Sequence, residues 1–251
     1  AYYLAKRGVK DVVLLEQNYL ASGPTGRSLA NMRPYHGVEE TIKIIQRTNQ
    51  VYLNFSELVG GEAEFRKIGR VWAETESKRK ILEDAVSRSR RGGIKAEYLS
   101  MKDLEDIMPG IVTNGLSVAV LFPEAGHSNP GLVTTSFASR AREMGVQIHE
   151  QTAVTGVGVS KGKISSVTSS RGSVSTSIVL NATGIWAPRI GNMVGIDIPI
   201  KSRRGQGVVF RLPWTLPSFT PIFHDGRSHY VFRCDSGGLI NLINTFEKVD
   251  A

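Results

Sequence analysis

Glu16 ends a short apolar run, Val12-Val13-Leu14-Leu15, and Ser22-Gly23-Pro24-Thr25-Gly26-Arg27-Ser28 follows soon after. An acidic side chain at the end of the second strand of a βαβ unit accepts hydrogen bonds from both ribose hydroxyls of a dinucleotide. Glu16 fits that position, with Gln17 beside it. Gly23 and Gly26 allow the backbone to approach a ligand closely, and Thr25 and Ser28 add hydroxyls to the backbone N–H donors. This set suits pyrophosphate oxygens if the turn opens a helix. The competing reading of the same residues is a surface loop.

The flanking elements are consistent with this placement. Residues 1–8 read as the last turns of a helix closed by Gly8, with Lys6 and Arg7 favourable at its C-terminal end. The Gly-rich turn and first strand that should feed such a helix would lie before Ala1, so the chain is expected to begin inside its own nucleotide-binding motif. Residues 38–59 carry apolar side chains at helical spacing, namely Ile42, Ile45, Tyr52, Phe55 and Val59. Residues 65–75 are strand-like and 78–91 helical. Residues 99–108 predict a short helix introduced by Ser100, and 118–122 a strand. Asn129-Pro130 is a helix start, with Val133, Phe137, Ala141 and Met144 on one face up to Gly145. A short strand over 146–149 follows, then a hairpin around Lys161-Gly162 and a turn at Arg171-Gly172. Residues 178–180 predict a strand in one sheet with the Glu16 strand, running into Asn181-Ala182-Thr183-Gly184-Ile185-Trp186-Ala187. Residues 208–212, 229–233 and 239–243 predict strands of a second sheet.

Composition narrows the class. The 251 residues are 41% hydrophobic and 22% charged, enough to bury a core. No run approaches the roughly 18 apolar residues of a membrane span, and the N-terminus lacks the order of a signal peptide. The single cysteine, Cys234, rules out an internal disulfide and favours a reducing, cytoplasmic setting. The net charge of +8 is spread out. The clusters at 78–80 and 88–91 lack interleaved aromatic residues and read as solvated helix faces rather than a nucleic-acid site. The five histidines show no ligand spacing, so no metal is expected. There is no Gly-x-Ser-x-Gly elbow for a hydrolase.

The ordered set of segments resembles the FAD-dependent D-amino-acid oxidase class, especially its glycine oxidase and sarcosine oxidase or dehydrogenase branch. The segments are residues 12–16, the loop from Thr25 through Met32-Arg33, the Asn129-Pro130 helix with 146–154, Asn181 to Ala187, and Arg203-Arg204-Gly205-Gln206. The resemblance implies an α/β fold, a Rossmann-like FAD-binding domain with a β-rich (α+β) substrate domain inserted. The FAD domain would span 1–37 and 126–200, and the substrate domain 38–125 and 201–251. The family normally continues beyond this point, so both ends are expected to be incomplete, and the 251 residues alone are expected to bind FAD weakly or not at all and to lack measurable turnover, although the parent protein would be an enzyme.

The resemblance also implies roles. Val154 would meet the adenine through its backbone, or be an ordinary strand valine. Thr183 and Gly184 would permit close approach of the cofactor, with Trp186 against the cofactor-binding loop or simply in the core. Arg27 would pair with phosphate, sit over the flavin edge, or be an exposed charge. Arg33 is the leading candidate for holding a substrate carboxylate, which an arginine fork does well. Tyr230 and Arg233 are further candidates, although three-residue spacing on a strand puts them on opposite faces. The implied reaction is oxidation of an amine or amino acid such as sarcosine, glycine, proline or a D-amino acid. Some amine oxidases of the class carry a lysine on the strand matching 239–243; here it reads Leu-Ile-Asn-Leu-Ile, which favours a dehydrogenase with an electron-acceptor partner or partner subunit. The alternatives are a flavoprotein subunit without turnover and a degenerate fragment acting as an interaction module.

Overall fold

The computed structural model describes residues 1–202, 204–214, 216–217, 219–235 and 238–247. Arg203 of the expected Arg203-Arg204 motif lies outside them. In chain order the elements are α1 (Tyr2–Lys6), β1 (Val13–Leu15), α2 (Glu39–Leu53), α3 (Phe55–Leu58), β2 (Arg70–Glu74), α4 (Arg79–Arg91), β3 (Glu97–Leu99), α5 (Met101–Ile107), β4 (Val118–Phe122) and α6 (Pro130–Glu143). They continue as β5 (Gln147–His149), β6 (Val154–Ser160), β7 (Lys163–Ser169), β8 (Gly172–Ser175), α7 (Ala187–Asn192), β9 (Arg204–Arg211), β10 (Ile222–Asp225), β11 (Tyr230–Asp235) and β12 (Leu239–Glu247). They form two compact units, one of residues 1–26 and 134–204, the other of 27–133 and 205–247.

In the first unit β1 and β5 pair in parallel, with Val13 opposite Gln147, and β6, β7 and β8 form an antiparallel sheet. The β6–β7 connection is the two-residue turn Lys161-Gly162. Both residues have positive φ, 50° and 73°, as the primed hairpin turns that match strand twist require. Tyr2 of α1 packs edge-on against Phe137 of α6, with ring centroids 5.1 Å apart.

The second unit is built on a seven-stranded mixed sheet in the order β3-β4-β2-β10-β11-β12-β9. Inside it β2 is buried along its whole length, antiparallel to β4 and parallel to the central strand β10. Alternation of side chains sends Trp72, Val120 and Phe122 to one face, where they pack with Tyr35, Ile42, Leu82 and Val86. Val71, Ala73, Ala119 and Phe223 go to the other, against Leu104 and Met108. The helix carrying Leu104 starts in a capping box: the Ser100 Oγ accepts from the Asp103 N–H at 3.0 Å, and the Asp103 carboxylate accepts from the Ser100 N–H at 2.9 Å.

Four expectations are corrected. Residues 178–180 form no strand and do not share a sheet with the Glu16 strand. Thr176 Oγ accepts the Ile178 N–H at 3.2 Å and donates to the Ile178 carbonyl at 3.0 Å, so local bonds take the groups a ladder would need. The turn at 21–27 opens no helix; it closes on itself through a Gly26 N–H to Ala21 carbonyl bond of 2.9 Å. The helix expected over 38–59 breaks at Asn54, whose side-chain amide donates to the Gln50 carbonyl at 3.0 Å. The strand expected from 65 is confined to β2, because Gly69 with φ 78° turns the chain just before it.

Candidate functional site

In the first unit, Glu16 stands at the carboxyl end of a parallel strand pair, where nucleotides bind in open α/β sheets. Its N–H donates to the His149 carbonyl at 2.9 Å and its carbonyl accepts from the Thr152 N–H at 2.8 Å, so the backbone is held on both sides. Its Oε1 accepts from the Asn18 N–H at 2.8 Å. The half-buried Gln17 lies in the following bend. Gly26 is required by the turn itself, since a Cβ there would overlap the Ala21 carbonyl. The structure brings Gly23 and Trp186 together: a Cβ at Gly23 would sit 3.6 Å from the indole edge. Trp186 is partly exposed, and Thr25 and Arg27 are exposed. Val154 heads β6 and is half-buried.

Thr183 and Gly184 lie in a loop organised by a residue the sequence reading did not single out. Asn181 Oδ1 accepts from the Thr183 hydroxyl at 2.8 Å and from its N–H at 3.3 Å, while Nδ2 donates to the Ala187 carbonyl at 3.0 Å. Gly184 has φ 59°, which glycine adopts without strain. A carboxylate at a strand end and a glycine turn beneath an indole are compatible with the ribose and phosphate portion of FAD.

In the second unit the loop 28–33 and the sheet enclose a cleft of about 240 Å³. The loop supplies Ser28, Asn31 and Arg33; the sheet supplies Arg70 from β2, Val231 from β11 and Ile243 from β12. No acidic side chain is among its lining residues. Of the three candidates for substrate contact, Arg33 lines the cleft and is exposed. Arg233 is on the same sheet face as Val231 but supports the loop, donating from Nη1 to the Leu29 carbonyl and from Nη2 to Asp235 at 2.8 Å. Tyr230 alternates to the other face with Phe232, which stacks on Phe223 at 6.0 Å, and is not part of the cleft lining.

Three residues at or behind the cleft were not identified from the sequence. Arg70 is 4% exposed and donates from Nη2 to the Tyr35 hydroxyl at 3.2 Å. The Tyr35 hydroxyl lies 3.1 Å from His224 Nδ1. Because a guanidinium only donates, the Tyr35 oxygen accepts from Arg70, and the same hydroxyl meets the His224 ring in a hydrogen bond whose direction is set by the imidazole tautomer. Burial, then Arg70, Arg33 and His229, push the His224 pKa down to about 3, against an opposing pull from Asp225. Trp72 stacks on Tyr35 at 4.4 Å and on His224 at 5.4 Å, fixing both rings. The signal that could have exposed Arg70 is an arginine heading the apolar run Val71-Trp72-Ala73. Tyr35 and His224 gave no local signal, since they meet across 189 positions.

A family model described as FAD dependent oxidoreductase (DAO) matches residues 1–247. The chain belongs to the DAO family of FAD-dependent oxidoreductases. Among curated relatives of this DAO chain, the mitochondrial pyruvate dehydrogenase phosphatase regulatory subunit of Mus musculus is 29% identical over 255 residues, covering 99% of this chain and 28% of the relative. The 4-methylaminobutanoate oxidase (formaldehyde-forming) of Paenarthrobacter nicotinovorans is 26% identical, covering 98% and 30%. The chain therefore spans less than a third of either relative. The L-proline dehydrogenase structure from P. horikoshii superposes with a TM-score of 0.85 at 24% identity, over 100% of this chain and 68% of that one. This likeness supports the α/β fold. No helix of the described residues is long and apolar enough to cross a membrane.

Proposed function

We propose that the protein oxidises an amine or amino acid to an imine that water then hydrolyses. The observation that carries this reading is the cleft bordered by Arg33 and Arg70 without a lining carboxylate, a site suited to an organic anion. FAD, when bound, accepts the hydride, while the chain binds the substrate and keeps its C–H oriented. Arg33 would hold the substrate carboxylate. Glu16 would take the ribose, Val154 the adenine, and the turn from Gly23 to Ser28 the phosphates, with Gln17, Thr183, Gly184 and Trp186 around the same cofactor. Arg233 would set the height of the 28–33 loop. Tyr230 takes no part in this scheme.

The absence of lysine from residues 239–243 favours a dehydrogenase that passes electrons to a partner protein, and the lone Cys234 favours a reducing, cytoplasmic setting. Anaerobic addition of sarcosine, glycine, proline and D-amino acids to the FAD-loaded protein should bleach the flavin with at least one of them. Arg33→Lys should raise the apparent substrate constant by about tenfold or more while leaving flavin binding intact. A silent panel would refute catalysis. It would favour a second reading, a flavoprotein subunit without turnover, which the 29% identity to a regulatory subunit supports.

A further inference from the structure

Arg70 poses a problem that the proposed reaction with one carboxylate does not solve. The residue is 4% exposed, its Nε finds no hydrogen-bond partner, and no carboxylate among the described residues pairs with it within 4.0 Å. A buried charge without a counter-ion is expensive, and proteins ordinarily pair it or remove it. The polar groups around it make this worse rather than better. Tyr35 contributes only a neutral oxygen, and His224, whose pKa is lowered to about 3, meets Tyr35 through Nδ1 and supplies no negative charge. Arg33, the other guanidinium of the cleft, is also cationic and lies over the Tyr35 ring, 5.9 Å from its centroid. Asn31, on the facing loop, has a buried Oδ1 without a partner, an acceptor with no donor to satisfy it. The cleft thus holds two arginines of different depth, one buried and one exposed, and no carboxylate among the described residues pairs with either within 4.0 Å.

We infer that the cleft takes a substrate with two acidic groups, one held by the buried Arg70 and the other by the exposed Arg33, so that its preferred class is an amine or amino acid carrying two carboxylates. The inference rests on the cleft being the substrate site, as proposed above. Arg70 contributes the depth of the pocket and Arg33 its rim. Tyr35 and His224 act as positioning residues: the Arg70–Tyr35–His224 chain holds the guanidinium plane, and the Trp72 stack prevents the two rings from turning away. A substrate with one carboxylate would leave one arginine unpaired.

The test compares malonate with acetate as non-reacting probes of the FAD-loaded protein, using calorimetry and the perturbation of the flavin spectrum at pH 7.5. A second charge-assisted, bidentate contact is expected to make malonate bind about tenfold more tightly than acetate. Arg70→Met should bring the two anions to within about twofold of each other, with acetate affinity little changed. Tyr35→Phe should narrow the ratio in the same direction, because the fork keeps its charge and loses its alignment. A wild-type ratio below about fivefold overturns the inference by itself, even if Arg70→Met does not fold; so does a ratio that survives Arg70→Met. The two levels fail differently. If neither anion binds, or Arg33→Lys changes neither affinity, the assignment of the cleft as the substrate site is wrong; if Arg33→Lys weakens both and Arg70→Met leaves the ratio intact, only the two-carboxylate inference is lost.

Discussion

Mild acid is expected to destabilise the seven-stranded unit well before its carboxylates titrate, because the buried His127 and the half-buried His224 have lowered pKa values in the folded state. Burial and the nearby Arg70, Arg33 and His229 lower the His224 pKa from 6.5 to about 3, with Asp225 pulling the other way. Burial, Arg233 and Arg66 lower that of His127 from 6.5 to about 4, opposed by Asp235. Between 6.5 and these values the unfolded chain binds protons that the folded chain refuses, so stability is complete above pH 6.5 and declines as pH falls. The decline ends below the folded values, where both states are charged. From pH 7 to pH 5 the linkage amounts to at most about 2 kcal/mol per histidine, or roughly 4 kcal/mol for the pair. That is a large share of the roughly 5–15 kcal/mol by which domains are stable. Urea unfolding followed by tryptophan fluorescence at pH 7, 6 and 5 measures the loss. The His224→Gln variant should be less stable at pH 7 yet lose only about half as much on acidification. Its pH dependence relative to wild type separates the imidazole from everything else that titrates. An unchanged slope in this variant, or an imidazole signal titrating near 6.5 in the folded protein, would refute the reasoning.

Two further changes test the packing that supports the cleft. Ser100→Ala removes the side-chain half of the capping box that starts α5, leaving the backbone N–H to Asp103 bond, and should cost about 1 kcal/mol, visible as a lower thermal midpoint with unchanged flavin binding. Gly226→Ala would drive a Cβ into the buried carboxylate of Glu74, which Trp72 Nε1 holds at 2.9 Å, and should cost about 1–3 kcal/mol. Adding Glu74→Ala should recover part of that loss in a double-mutant cycle, and simple additivity would show that the two sites do not meet.

The parts of the fold that were legible in the sequence are those decided locally. Asn129 accepts from the N–H groups of Gly131 and Leu132 at 3.1 and 3.2 Å, as an N-cap before proline should, and Lys161-Gly162 carries its turn in its own backbone preferences. What failed had both distant and local causes. Residues 222–225 lie between β11 and the sequence-distant β2, to which they run parallel. Residues 178–180 had the composition of a strand, but Thr176 captured the backbone of Ile178. On β11, the three-residue spacing of Tyr230 and Arg233 correctly implied opposite faces, but only the register with β10 and β12 shows that Arg233 shares the face of the cleft. Arg70 was missed because a charged residue in a buried strand contradicts the pattern used to find the strand.

That contradiction is physically informative. Replacing Arg70 by an aliphatic residue would suit β2, whose neighbours along the strand are Val71, Trp72 and Ala73, and would remove the cost of a buried charge. The surrounding residues are arranged to tolerate the charge rather than cancel it: the Tyr35 oxygen accepts one N–H, the Tyr35 ring lies 5.5 Å from the guanidinium, and no carboxylate is supplied. A neutral His224 is a condition of this arrangement. An imidazolium would add a third positive charge to Arg33 and Arg70. The burial that depresses the His224 pKa therefore keeps a further cation away from the two guanidinium groups. Stability is given up at Arg70 and at His224 for the same end, a positive cleft whose missing charge an anionic ligand can provide.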